Sequence, residues 1–194
     1  MCQGRRLGSI ILLLSFTACG SAHPGWKSFP VPIYADAKIL NSPQNMGDLR
    51  DAFAFWEEKA GKPVFDLKGE WTGGTPYSGD PTQPSAILGN VIFFANPWPY
   101  APSFVGMTTV QNSGDGTQAA MVMINGTTPF CNGDCNFDSR VSSRKTFAHE
   151  LGHFIGLNHT QDTGDIMYPD AQPGGQIDHL HVDQGTLANL VAGQ

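Results

Sequence analysis

The sequence predicts an α/β (α+β) fold in one domain. Short apolar runs of strand character alternate with segments whose apolar residues recur at helical spacing, and no internal repeat interrupts the order. The chain has 194 residues, enough for one sizeable core. The stripe Leu49, Ala52, Phe53, Trp56 and Ala60 falls on one helical face and reads as packing against a sheet.

In order, Val31 to Ala35 is the opening strand. Asn45 is a candidate cap for the next helix, Asp48 three positions on suits the positive end of its dipole, and Gly61 with Pro63 ends it. Val64 to Leu67 is a second strand. Residues 69–90, rich in Gly, Pro, Ser and Thr without periodicity, predict a long loop. Asn90 to Ala95 is a third strand, and NPWPYAP after it cannot extend a ladder because proline lacks the amide donor. Met107 to Gln111 predicts a short strand and Ala119 to Asn125 a longer one. Ser142 caps a helix through Ile155, and Val182 to Val191 is a last short helix with Asp183 in its first turn.

The N-terminus has the layout of an export signal. Arg5 and Arg6 precede the apolar run Ile10 to Leu14, and small residues follow before Cys19. The run is too short to span a membrane as a mature helix. Phe16-Thr17-Ala18-Cys19 resembles a bacterial lipobox, with Phe16 where leucine is usual. That resemblance implies removal of residues 1–18, lipidation of Cys19, a tether over 19–27 and a domain over 28–194. Cleavage near Ala22 is the alternative and would release a soluble protein. Removing Arg5 and Arg6 lowers Lys plus Arg from 11 to 9 against 17 Asp plus Glu, so the formal charge moves from −6 to −8. Such an acidic chain offers no electrostatic case for binding nucleic acid. A monomer is expected.

Of the four cysteines, Cys2 leaves with the signal and Cys19 is lipidated or lost. Cys131 and Cys135, in FCNGDCNF, remain, and an oxidising exported setting favours a disulfide between them. A metal pair is the competing reading, but no second Cys or His cluster lies nearby in the sequence. The loop closed is short, so the bridge gains little chain entropy and serves mainly to hold the approach to the next helix.

Chemistry concentrates in residues 149–159, HELGHFIGLNH, and 166–169, IMYP. On a helix, positions i and i+4 share a face, so His149 and His153 can aim ring nitrogens at one ion. Gly156 can enter left-handed space, end the helix and let the chain return with His159. Three neutral imidazoles on Zn²⁺ leave a fourth position for water, the pattern of a catalytic site. Glu150 is then placed to take a proton from that water, whose pKa the metal lowers to about 7. The eleven-residue spacing followed by a methionine turn is far more specific than HExxH alone.

The run HELGHFIGLNHTQDTGDIMYP resembles the active-site segment of the metzincin metallopeptidases, and among them the matrixins. Thr160, Asp162 and Ile166-Met167-Tyr168-Pro169 hold the places that matrixins give to a hydroxyl residue, an aspartate and the Met turn. The order of elements over roughly residues 28 to 192 is similar too, including AFAFW followed by KPVFDL. The resemblance implies a twisted, mostly parallel sheet with an antiparallel edge strand, an active-site helix and a C-terminal helix. It implies His149, His153 and His159 as ligands of one catalytic zinc, Glu150 as general base, and Met167 as an apolar floor. Tyr168 and Pro169, with residues to Gln176, would wall the primed-side pocket. An extended peptide would pair with the edge strand, expected at Ala119 to Asn125.

That makes the expected function zinc-dependent endopeptidase cleavage of protein or peptide substrates outside the cytoplasm. The alternative is a surface-anchored zinc protein that holds peptides without turnover; an intact Glu150 argues against it. Residues 96–118 contain no histidine for the second, structural zinc of many matrixins. Calcium would call on Asp115, Asp134 or Asp138, which in Asp/Gly clusters are more often solvated turns. His23, His179 and His181 read as surface residues, and Asn125-Gly126-Thr127 is a sequon that matters only outside a bacterial lipoprotein. No inhibitory pro-segment is visible between Cys19 and the first strand.

Overall fold

A computed structural model describes residues 25–74, 89–113, 116–135, 139–169 and 176–192. It is mixed α/β, with a five-stranded sheet backed on one face by helices. The strands are β1 (Val31–Ala35), β2 (Phe65–Glu70), β3 (Val91–Ala95), β4 (Gly106–Ser113) and β5 (Gly116–Asn125), and the helices are α1 (Ala37–Leu40), α2 (Pro43–Ala60), α3 (Ser143–Ile155) and α4 (Gln184–Val191). Sheet order is β2-β1-β3-β5-β4, parallel except for the β4–β5 pair. No helix among the described residues is long and apolar enough to cross a membrane.

The expected edge strand is displaced by one position. Ala119 to Asn125 lies inside the sheet, between β3 and β4, and the antiparallel edge is β4. The reason is burial: Ala120 to Asn125 are all buried, as a strand covered on both faces must be, whereas β4 is half-buried and ends exposed. The amide of Asn125 donates to Val105 O at 2.9 Å, and the register pairs Met107 with Met123 and Thr109 with Met121. Antiparallel ladders alternate every two residues. Gly106, Thr108 and Val110 therefore turn their amides and carbonyls to the open edge.

Helix α2 starts earlier than its expected cap. Ser42 Oγ accepts from the Asn45 amide at 3.2 Å and Pro43 occupies the first turn, where its missing donor costs nothing. Gly61, at φ 66°, closes the other end. Leu49, Ala52 and Trp56 are buried as the stripe predicts, Phe53 is half-buried, and Phe55 joins them. The second strand runs past Leu67 to Glu70, and Asp183 is the N-cap of α4, accepting from the Gly185 and Thr186 amides. The single turn α1, capped by Asp36, has too little periodicity to be seen in sequence.

Between helices and sheet lies the main core, in which Trp56, Phe147 and Phe154 are fully buried. Burying each such side chain contributes about 1.5–3 kcal/mol. The Trp56 indole donates to Ala148 O at 2.8 Å and locks α2 onto α3. Trp26 also enters this core, stacking on Phe154 at 5.2 Å and donating to its carbonyl at 2.7 Å. On the sheet's other face, Val91, Phe93, Ala95, Met121 and Met123 are covered by Trp71, Trp98, Tyr100 and Met107.

Asp48, expected merely to favour a helix dipole, is buried at 2% exposure and joins α2 to the start of α3. It accepts from the Gly133 amide at 2.9 Å, from Asn132 Nδ2 at 2.8 Å and from the Ser143 hydroxyl. Arg144 lies 3.5 Å from Asp48, 2.8 Å from Asp51 and 2.9 Å from Asp134. A disulfide joins Cys131 and Cys135, whose Cα atoms are 5.8 Å apart. The loop it closes carries Asn132 and Gly133, so it presents donors to Asp48.

Candidate metal centre and active-site cleft

Helix α3 begins at the predicted Ser142, whose hydroxyl accepts from the Lys145 amide at 3.2 Å. It ends at Gly156, which takes φ 109° and donates to the Gly152 and His153 carbonyls. That left-handed residue turns the chain back, and Thr160 N bonds to Met167 O at 3.1 Å, tying the returning segment to the Met turn. His159 is thereby brought to the face that carries His149 and His153.

The three rings converge through Nε2. His159 Nε2 lies 3.1 Å from that of His149 and 3.0 Å from that of His153. Tautomers follow from the opposite nitrogens: His149 Nδ1 faces Ile166 O at 2.8 Å and His153 Nδ1 faces Leu157 O at 2.8 Å. A carbonyl can only accept, so both Nδ1 atoms carry the proton and both Nε2 atoms present lone pairs. Burial pushes His149 down to about 4, against the pull of the Ile166 carbonyl, and lowers His159 as well. Neutral rings with lone pairs about 3 Å apart suit a cation. Tetrahedral zinc with Zn–N of about 2.0–2.1 Å needs nitrogens about 3.3 Å apart, so this donor set fits the ion. The trio is positioned to bind a metal.

Beneath it, Met167 is 2% exposed and its amide donates to Asp165 Oδ1 at 2.7 Å. Gly152 makes the close approach possible: a Cβ there would stand 2.2 Å from Met167 Sδ and 2.8 Å from the Trp56 ring. Glu150 is buried at 6% exposure, and burial raises its carboxyl to about 7, opposed by a hydrogen bond from Thr108. A protein carboxyl near neutrality is suited to proton exchange.

The three histidines and Glu150 line a cleft of about 620 Å³ between β4 and α3. Gly106, Thr108 and Val110 line it from the sheet, and Tyr168 and Pro169 also line it. The rest of the expected wall, residues 170–175, lies outside the described residues, as do Cys19, His23, Asp115 and Asp138. The Asp134 carboxylate faces Arg144.

Two pairings were not legible in the sequence. His181 Nε2 meets Asp162 Oδ2 at 2.9 Å, and His181 backbone bonds to Ile166 and Gly164 brace the Met turn. The Gly164 amide and then His181 hold the Asp162 carboxyl below the usual carboxylate range. Thr108 reaches Glu150 across 42 positions. Neither leaves a local spacing to detect.

No curated protein matches the chain. The matrixin model of the M10 peptidases matches residues 34–186, well over half of it. The converging histidines, the neighbouring glutamate and the Met turn all fall within that match, and the chain belongs to the matrixin family of zinc metallopeptidases.

Proposed function

We propose that the protein is an endopeptidase that hydrolyses bonds within extended protein substrates, with Glu150 as general base. The observation that carries this reading is the placement of Glu150, buried between three converging imidazoles and an open strand edge. His149, His153 and His159 would hold the zinc through Nε2. When bound, the ion supplies Lewis-acid polarisation of a carbonyl and a water acidic enough to act near pH 7.

The chain's own groups do the rest. Outward amides and carbonyls of Gly106, Thr108 and Val110 hold the substrate backbone as an added antiparallel strand. This sets register and lays the scissile bond across the cleft. Glu150 receives the water proton on its carboxylate and hands it to the departing amine. Met167 supplies an apolar floor under the histidines, and Tyr168 and Pro169 wall the pocket beside them.

Residues 1–18 would be an export signal, and a lipid on Cys19 would hold the enzyme at an outer surface, as the FTAC sequence supports. Glu150→Ala tests the catalytic reading. Cleavage of a peptide library should fall by at least about 10²-fold, the lower range for a general base, while about one zinc per chain is retained. Wild-type cleavage by that variant would overturn the assignment.

A further inference from the structure

Glu150 is held from the sheet as well as from its own helix. Thr108 Oγ1 lies 2.6 Å from Glu150 Oε2 and 3.0 Å from the Glu150 carbonyl. Two positions earlier on the same strand face, Gly106 leaves room for the side chain: a Cβ there would stand 2.4 Å from Oε1 and 2.7 Å from Cδ and Cγ. The carboxylate thus lies along β4, with one oxygen against a hydroxyl and the other over a position without a side chain.

We propose that Thr108 is a positioning residue for the peptidase reaction: its hydroxyl fixes Oε2 of Glu150 so that Oε1, over Gly106, is the oxygen presented to the cleft. The proposal rests on reading Glu150 as the base. A free glutamate side chain has several rotamers to lose, and a short bond from a hydroxyl to a carboxylate is strong enough to select one arrangement. Gly106 supplies the space and Thr108 the anchor.

A buried carboxyl satisfied by a hydroxyl could serve stability alone. What separates the two roles is the backbone of Thr108, whose amide and carbonyl face the open edge where the substrate strand would pair. One residue then receives the peptide through its main chain and orients the base through its side chain. Removing the hydroxyl leaves the main-chain contacts in place, so the loss should appear in kcat and not in KM.

The test uses Thr108→Val, which keeps the branched shape and removes the hydroxyl, and Thr108→Ser, which keeps the hydroxyl. In the zinc-loaded full chain, Thr108→Val should lower kcat by about tenfold or more with KM within about twofold, and zinc content should match wild type. Thr108→Ser should stay within about threefold of wild type. As a readout independent of turnover, Thr108→Val should lower Tm by about 4 °C when Glu150 is present and by about half of that in the Glu150→Ala background, where the hydroxyl keeps only the main-chain carbonyl of position 150. An unchanged kcat, a loss that serine does not restore, or equal Tm shifts in both backgrounds would overturn the proposal. Wild-type cleavage by Glu150→Ala would instead remove the general-base reading, and the proposal with it. That result differs from an enzyme that depends on Glu150 and is indifferent to Thr108.

Discussion

The two ends of α3 are built on opposite principles. At its start, polar groups are matched within the protein: Ser142 caps the helix, Ser143 donates to Asp48, and Asn132 and Gly133 fill other Asp48 positions. Arg144 spreads its charge over Asp48, Asp51 and Asp134. At its end, His149 and His153 spend their protons on the Ile166 and Leu157 carbonyls and turn bare nitrogens toward His159. The first end is closed among protein groups apart from Arg144 Nε, which is buried 3.5 Å from Asp48 without a hydrogen-bond partner among the described residues. The second gathers three imidazole nitrogens in positions that suit a single metal ion.

Metal removal should break this contrast most strongly. A zinc chelator should lower cleavage by about 10³-fold or more, since both the Lewis acid and the activated water depend on the ion, and added zinc should restore it. Thermal scans should show a lower Tm, because a ligand bound to the folded state stabilises it by mass action. An enzyme that cleaves equally well with chelator would remove zinc from the mechanism.

Asp48→Ala attacks the other end. It leaves Arg144 partly uncompensated and removes the Asp48 acceptor from Asn132, Gly133 and Ser143, of which Asn132 and Ser143 keep others, at a cost of about 3 kcal/mol in urea unfolding. Zinc content of the folded fraction should hold near wild type, because no Asp48 contact touches the histidines. If zinc is lost in proportion to stability, the two ends are not independent. The smallest effect is expected from replacing Cys131 and Cys135 with serine. The chain-entropy estimate for so short a loop is at most about 2 kcal/mol, and kcat should change by less than about threefold.

How much of this could be read beforehand depended on distance along the chain. The convergence of the three histidines was legible because helical spacing fixes His149 and His153 relative to each other, and Gly156 advertises the turn that returns His159. The disulfide was legible for the same reason, its cysteines being four positions apart. Thr108 with Glu150, and Asp48 with Ser143, are separated by 42 and 95 positions. Only packing brings them together, and a lone Thr in a strand or Asp in a helix announces nothing. The edge strand is a different case, because its signal was present. The unbroken MVMI run in β5 is what burial on both faces requires, and the polar TTVQNS of β4 is what an open edge tolerates.

That open edge also bears on solubility. Sheet edges are commonly guarded against pairing with other chains by lysines, prolines or bulges. β4 has no charged side chain and no proline, so its defence is a register shift between Gln111 and Asn112. The shift leaves Gly106 to Gln111 as a regular stretch. Six residues are enough for the peptide pairing proposed above, yet they offer a second folded copy little length on which to build a lasting sheet.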